Sequence, residues 1–496
     1  MASSNTQQTP TPNHGVDEGN RIPKRHKPSG ISILIVGAGV AGLMAALECW
    51  RQGHEVRIIE KSSTRILSGD GFTIGSTAIR ALRHWPGMVE ENERIAWHPW
   101  VSWHKITGDK ISGPAPFFDP AEKKDETQAD GDEAPRMIYR HSRPRFHKML
   151  ADQAEKQNIY VEYGTRVVEY YEEPIAGKAG VILGNGEKIE ADVVFAADGI
   201  GSKSSSAIMG HIVPARPTGF AIYRAAFPVE LADADPMVRQ RFKPLKDGTP
   251  VVEVWMGEGI RAMFGRSEDE MSWTINYPDD GEESESWSTL VDPEIVLQKA
   301  TNIPGWPEVG NRLIQLTPKE RLHDFKLMWR EPQPCWVSPA GRIVQIGDAA
   351  HSFLPSSGNG ATQGMEDAIS LATCLRLAGK NDLCWATRAH NKLRFERVSC
   401  LQLLGILNQE TRHLSANAKA STAPTKPIGL MAEWIWRHNP ERYAIENYEA
   451  ARTHLEDGKP FQNSNIPPGH VYKPWTIDEM LRATAAGELH LDGDWE

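Results

Sequence analysis

A run of apolar residues interrupted by glycines at fixed intervals, ISILIVGAGVAGLMAAL at 31–47, constrains this chain more than any other feature. Ile31, Ile33, Leu34, Ile35 and Val36 suit a buried parallel strand, and Gly37, Gly39 and Gly42 form G-x-G-x-x-G at the entry to a helix. The first glycine permits the tight turn, the second lets a pyrophosphate approach the backbone, and the third lets the helix pack close on the strand. Free N–H groups and the positive helix end then meet the phosphates. A further apolar strand, Val56–Ile59, ends in Glu60, 18 residues past Gly42, where a carboxylate can accept hydrogen bonds from both hydroxyls of an adenosine ribose. An acid there favours FAD or NAD over a 2′-phosphorylated nucleotide. The same run, preceded by Lys24-Arg25-His26-Lys27, has the look of a signal anchor. Three glycines would weaken such a membrane helix, however, and the acid-ended strand would be left unexplained.

At 496 residues, with 40% hydrophobic and 24% charged, the chain reads as a soluble globular protein of two or three domains. Its net charge of −10 argues against a nucleic acid or an anionic membrane as partner. Cys49, Cys335, Cys374, Cys384 and Cys400 show no C-x-x-C spacing, so neither a disulfide framework nor a metal site is indicated, and a reducing cytoplasm is the expected location. Residues 1–30 read as a disordered tail and 119–135 as an exposed loop. From about Gly219 the pattern changes to short alternating runs such as VVEVWMG (251–257) and MSWTINYP (271–278), which predict an antiparallel sheet domain over 219–334. The flanking segments 31–218 and 335–400 are expected to form one nucleotide-binding domain in two parts. Residues 401–496 follow as a helical region and tail.

Two more strand-and-glycine patterns lie downstream. DVVFAADGIGSKSS (192–205) runs from an apolar strand into Asp198-Gly199, and GRIVQIGDAAHSFLPSSGNGATQGMEDA (341–368) runs from a strand into Gly347-Asp348 and a Gly-rich loop that feeds a helix. An Asp at a strand's carboxyl end can hydrogen-bond a ribose or ribityl hydroxyl while the adjacent Gly keeps the backbone clear of the ligand. A helix from about Thr362 would stabilise negative charge in that loop by about 0.3–1 kcal/mol. A reduced flavin is such an anion.

With these three motifs in this order, residues 31–400 resemble the single-component FAD-dependent aromatic monooxygenases, the group of para-hydroxybenzoate and salicylate hydroxylases, in their salicylate-hydroxylase-like fungal branch. The resemblance implies an α/β fold: a Rossmann-like, para-hydroxybenzoate-hydroxylase-like FAD-binding domain, a mixed or antiparallel substrate sheet and C-terminal helices. It implies non-covalent FAD held by Gly37, Gly39, Gly42, Glu60, Asp198, Gly347 and Asp348. YRHSRPRFHKML fits the family's R-x-x-apolar-x-x-x-L helix, so Arg143 is implied as a phosphate- or ribityl-side contact, with Arg145 the alternative register. Gly69-Asp70-Gly71 stands where the family has Gly-Ala-Gly, which makes Gly71 a cofactor contact and leaves Asp70 either a substrate-side acid or a turn residue. Gly360 and Ala361, the latter 13 residues after Asp348, fall where the helix opens toward the flavin ring.

The catalytic expectations are Arg224 and Pro355. FAIYRAAFP (220–228) matches the family's Tyr-Arg strand, whose arginine holds a phenolate or relays a proton, and Pro355 matches the proline lining the oxygen-reaction face. His351 is expected to be structural, and Trp255 to line the substrate face. Lys203-Ser204-Ser205 replaces the usual x-Val-Arg after the Asp-Gly motif, which puts the nicotinamide-phosphate contact in doubt; Lys203 would substitute as a point charge. The implied activity is hydroxylation of a phenolic small molecule with NAD(P)H and O2 through a flavin hydroperoxide, with decarboxylation when a carboxylate occupies the attacked carbon, in a monomer or homodimer. Epoxidation of an indole or alkene, and a two-electron oxidase or dehydrogenase, remain alternatives. A flavin-binding regulator without turnover is the reading from outside enzymology.

Overall fold

The computed structural model describes residues 23–65, 69, 71–116, 138–279, 289–417 and 432–495. Asp70, the expected 119–135 loop and residues 1–22 lie outside the described residues. The glycine-flanked run forms β1 (Ser32–Val36) and α1 (Val40–Arg51), followed by β2 (Glu55–Ile59). β1 is the centre of a five-stranded parallel sheet, with Val193–Ala196 and Ile343–Gln345 on one side and β2 and Val161–Glu162 on the other. Burial on both faces explains why β1 and Val193–Ala196 are almost continuously apolar, whereas β2, nearer the edge, keeps Glu55 and Arg57 exposed.

One face of this sheet carries α1, the helix Arg143–Lys156 and the helix Gly360–Ala378. The other carries an antiparallel meander of Val167–Glu173, Lys178–Leu183 and Lys188–Ala191, whose Tyr170, Val181 and Ile189 pack against Leu34, Val36 and Val194. The α1 sequence, rich in Ala, Leu and Met, has high helix propensity. It is buried nearly all round because the Gly360–Ala378 helix crosses it closely. Ala41 marks that crossing: a Cβ built on Gly347 or on Gly364 would lie 3.0 Å from the Ala41 Cβ. Residues 26–29, within the stretch expected as a tail, hydrogen-bond along the end of α1, His26 N to Arg51 O at 2.8 Å and Ser29 N to Gly53 O at 2.9 Å.

The second large sheet has seven strands in the order Leu322–Trp329, Arg216–Pro228, Glu270–Pro278, Ile260–Arg266, Val251–Gly257, Trp100–Lys105 and Lys110–Pro116. It begins slightly before Gly219 and takes its last two strands from residues 100–116, far earlier in the chain; Trp100–Lys105 joins Val251–Gly257 in parallel. Its two faces differ. Ala221, Tyr223, Trp255, Phe264, Trp273 and Ile275 fill a sealed core beneath the helices Pro293–Thr301 and Glu308–Gln315. Trp255 is thus not a substrate-lining residue: it is 0% exposed, on the far face, and its indole N–H donates to Glu253 Oε2 at 2.7 Å. The opposite face looks back toward the parallel sheet.

Between the two large sheets stands a three-stranded antiparallel one, Gly71–Gly75, Ile138–Ser142 and Ala96–Trp97. The helix Leu383–Asn417 runs along the Gly360–Ala378 helix, and Pro440–Asp457 packs on both through Ala444, Tyr448 and Ala451. No helix among the described residues is long and apolar enough to cross a membrane.

Candidate active site

The three glycines of the first turn do three separate things. Gly37 has φ +105°, and a Cβ there would lie 2.4 Å from Ala197 O; a Cβ on Gly42 would lie 1.9 Å from Gly37 O. Around Gly39 there is open space, and no side chain caps the α1 N-terminus that Gly39 begins. The backbone is therefore compact on the protein side and clear on the side where an anion would sit. Replacing Gly42 with alanine is expected to destroy this turn and leave the purified protein colourless, whereas Gly39→Ala, with room for the methyl, is expected to fold and lose only part of its flavin. Flavin absorbance per protein checks both.

Glu60 accepts from Ala38 N and Ser62 N, each at 2.9 Å. Burial works against its charge, but those two N–H groups hold the carboxyl below its ordinary range, so it is ionised at neutral pH. His147, from the Arg143–Lys156 helix, locks the same turn through Ala38 O at 2.7 Å.

The other two motifs meet at the ends of neighbouring strands. Asp198 accepts from Tyr170 OH at 2.8 Å, and burial raises its carboxyl above the usual range. Asp348 opens onto the cleft yet is ringed by protein, and its carboxyl is likewise raised by burial, against the pull of His351, Arg143 and Arg330. Gly360 opens the following helix two residues earlier than expected, with Ala361 beside it and no side-chain cap from Asn359. Arg143 starts its own helix, lies 5.7 Å from the Phe72 ring and runs past Gly69, where a Cβ would come within 3.2 Å of its Cδ. Arg145 instead forms an ion pair with Asp269, in the turn before the Glu270–Pro278 strand.

Pro355 is exposed on a short turn, and its neighbour Leu354 is buried with Ile222 and Phe325 on the inward face of the seven-stranded sheet. Arg224 lies on that same face, 8% exposed, its guanidinium carbon 5.9 Å from the Phe325 ring centroid. The loop and the arginine are therefore brought to one wall. The loop rests on the Leu383–Asn417 helix at Gly405, where a Cβ would lie 2.9 Å from Ser357 Cβ, and Gln402 donates to Ser352 O at 2.9 Å. His351 is structural: its Nε2 lies 2.6 Å from Asp367 Oδ2, and that oxygen also accepts from Gly347 N.

A row of residues in register across the sheet was invisible in the sequence: His323, Arg224, Thr274, Met263, Val254 and Trp103, one from each of six strands. Period-2 alternation shows that such strands have two faces but not which face turns inward.

A family model described as an FAD binding domain matches residues 31–382. The FAD-dependent monooxygenase fsr3 of Gibberella fujikuroi is 40% identical over 479 residues, 95% of this chain and 90% of its own length. The chain belongs to the FAD-dependent monooxygenases. Another relative in this family, mdpD of Emericella nidulans, is 41% identical over 487 residues, covering 96% of this chain and 92% of its own. Among solved structures, CtdE in complex with FAD and substrate 4 superposes with a TM-score of 0.74 at 29% identity, over 86% of this chain and 100% of that one. A salicylate hydroxylase substrate complex shares the fold, with a TM-score of 0.62 at 21% identity over 84% of this chain and 98% of that one. The residues described above fit FAD: an open glycine turn for a pyrophosphate, an ionised acid at the end of β2 for a ribose, and Asp348 beside an uncapped helix N-terminus.

Proposed function

We propose that this monooxygenase hydroxylates a phenolic aromatic small molecule, with NAD(P)H as reductant and O2 as co-substrate, in secondary metabolism or aromatic catabolism. Arg224 carries the reading, as a nearly buried cation on the inward sheet face next to the Pro355 loop. FAD, when bound, supplies the two-electron chemistry that splits O2 between product and water. Gly37, Gly39, Gly42, Glu60, Arg143, Asp198, Gly347 and Asp348 would hold it, with Gly71, Gly360 and Ala361 giving backbone clearance near the ring.

The protein's part is positioning and electrostatics. A guanidinium beside the phenol oxygen lowers that group's pKa and enriches the ring in electron density, which favours attack by electrophilic oxygen. Pro355 presents no backbone N–H on the oxygen side, and the apolar Leu354–Ile222–Phe325 cluster helps to exclude water there.

The test is oxidation of NADPH and NADH by the flavin-loaded protein with phenols, carboxylated phenols and indoles, while oxygen uptake, peroxide and products are followed. Phenol-stimulated oxidation with hydroxylated product and little peroxide is the expected result. Peroxide equal to the oxygen consumed, with an added compound itself oxidised and no oxygen atom inserted into it, would replace the reading with an oxidase.

A further inference from the structure

The helix Ile477–Ala486 begins with a capping box: Thr476 N donates to Glu479 Oε2 at 2.9 Å, and Glu479 N donates to Thr476 Oγ1 at 3.3 Å. That cap sets where the helix starts and so which residue leads its apolar stripe. Ile477 leads it, with Met480 and Leu481 following at helical spacing, and is 1% exposed. One cluster of buried side chains joins Ile477 to Leu354 of the Pro355 loop, to Ile222 and Phe325 on the inward sheet face, and to Ile406 of the Leu383–Asn417 helix. Polar contacts tie the same short stretch to both walls. On the sheet side, Glu331 Oε2 accepts from Ile477 N at 3.0 Å, and Arg216, which starts the strand that carries Arg224, donates to both carboxylate oxygens of Asp478 at 2.8 and 3.1 Å. On the cofactor side, Trp475 Nε1 donates to Ser399 Oγ at 3.0 Å. Ser399 lies about two turns before Ile406, on the stretch of helix whose Gln402 and Gly405 support the loop.

We infer that Ile477 is a positioning residue for the Pro355 loop: with Trp475 it clamps Leu354 between the substrate sheet and the Leu383–Asn417 helix, and so fixes how far Pro355 stands from the wall that carries Arg224. The relative size of the contacts singles out Ile477. The Arg216–Asp478 pair is about half exposed on both sides and contributes little, whereas a buried isoleucine cut back to alanine leaves a cavity that its neighbours only partly fill. The clamp stands on these contacts alone; its bearing on the reaction rests on the proposed place of Pro355 on the oxygen side. There, a loop free to lift from the sheet would admit water, and electrons from the reductant would leave as peroxide instead of product.

Hydrogen–deuterium exchange of the flavin-loaded full chain tests this, read by mass spectrometry on peptides covering 352–358 and, as a reference, 31–51. In Ile477→Ala, exchange at 352–358 is expected to be about 10-fold or more faster than in the wild type, with the reference peptide and the flavin content unchanged. Ile477→Leu should restore most of the protection. With a compound that the wild type hydroxylates, product per NAD(P)H should fall in Ile477→Ala and peroxide should rise by the same amount. If Ile477→Ala is not recovered with flavin, Trp475→Phe, which loses the N–H and keeps an aromatic ring, carries the same comparison with a smaller acceleration. Unchanged exchange at 352–358, or equal acceleration in both peptides, overturns the inference. Local acceleration with product and peroxide unchanged keeps the clamp and removes Pro355 from the oxygen side. If the wild type hydroxylates none of the compounds, the phenol reading fails and exchange alone decides the clamp.

Discussion

Replacing Arg224 with glutamine is expected to lower hydroxylation about 10²–10³-fold, the effect of removing one preorganised charge-stabilising donor, equivalent to about 3–4 kcal/mol of barrier. Glutamine keeps most of the side-chain volume against Phe325 and removes the cation, so flavin content should not change. Reductant oxidation is expected to continue, with its electrons appearing as peroxide instead of product. The pH profile carries the sign of the effect. Without the guanidinium, the bound phenol must ionise near its free value of about 10, so residual activity should climb with pH where the wild type is flat. Product and peroxide per NAD(P)H, measured across pH, decide the matter; an Arg224→Gln enzyme with wild-type coupling removes Arg224 from the chemistry.

The second large effect is on stability. Glu366 and Asp367, adjacent on the helix behind the flavin loop, are both 0% exposed and are held by Arg394 at 2.5 and 2.9 Å, with Arg397 adding 3.0 Å to Glu366. Arg394→Ala would leave two buried carboxylates with too little positive charge, a loss of about 3–5 kcal/mol. Because Asp367 also orients Gly347 N, flavin occupancy should fall with it. A denaturation midpoint equal to that of the wild type would contradict this. The acid response follows from the same cluster. Burial pushes both carboxyls upward, but the arginines and His351 prevail, and both end well below their ordinary range. Their contribution is therefore complete above about pH 4.5, where the unfolded carboxyls are ionised, and is lost as pH falls below that. Neighbouring His390, pushed by burial down to about 3, adds an earlier loss of about 1.4 kcal/mol per pH unit below about 6.5, where the unfolded chain binds a proton that the folded one refuses.

What could be read from the sequence was what is local. The turn at Gly37–Gly42, the acid at the end of β2, and the Asp-Gly and Gly-Asp turns each depend on residues within about 20 positions of one another, so steric requirement and spacing reveal them. The substrate side depends on pairings across great chain distances. VVEVWMG alternates whichever way it faces, and the pairing of Val251–Gly257 with Trp100–Lys105 and Ile260–Arg266 decides that Trp255 turns away while Val254 joins Arg224's row.

The small residues where the two central helices cross have a consequence for how the molecule moves. With Ala41 packed against Gly347 and Gly364, the Gly37–Gly42 turn and the Gly347-Asp348 turn are parts of a single close-packed frame with little room to hinge between them. In the proposed reaction, the freedom needed for successive encounters with a nicotinamide and with an aromatic ring would then come from the isoalloxazine itself or from the opposing sheet.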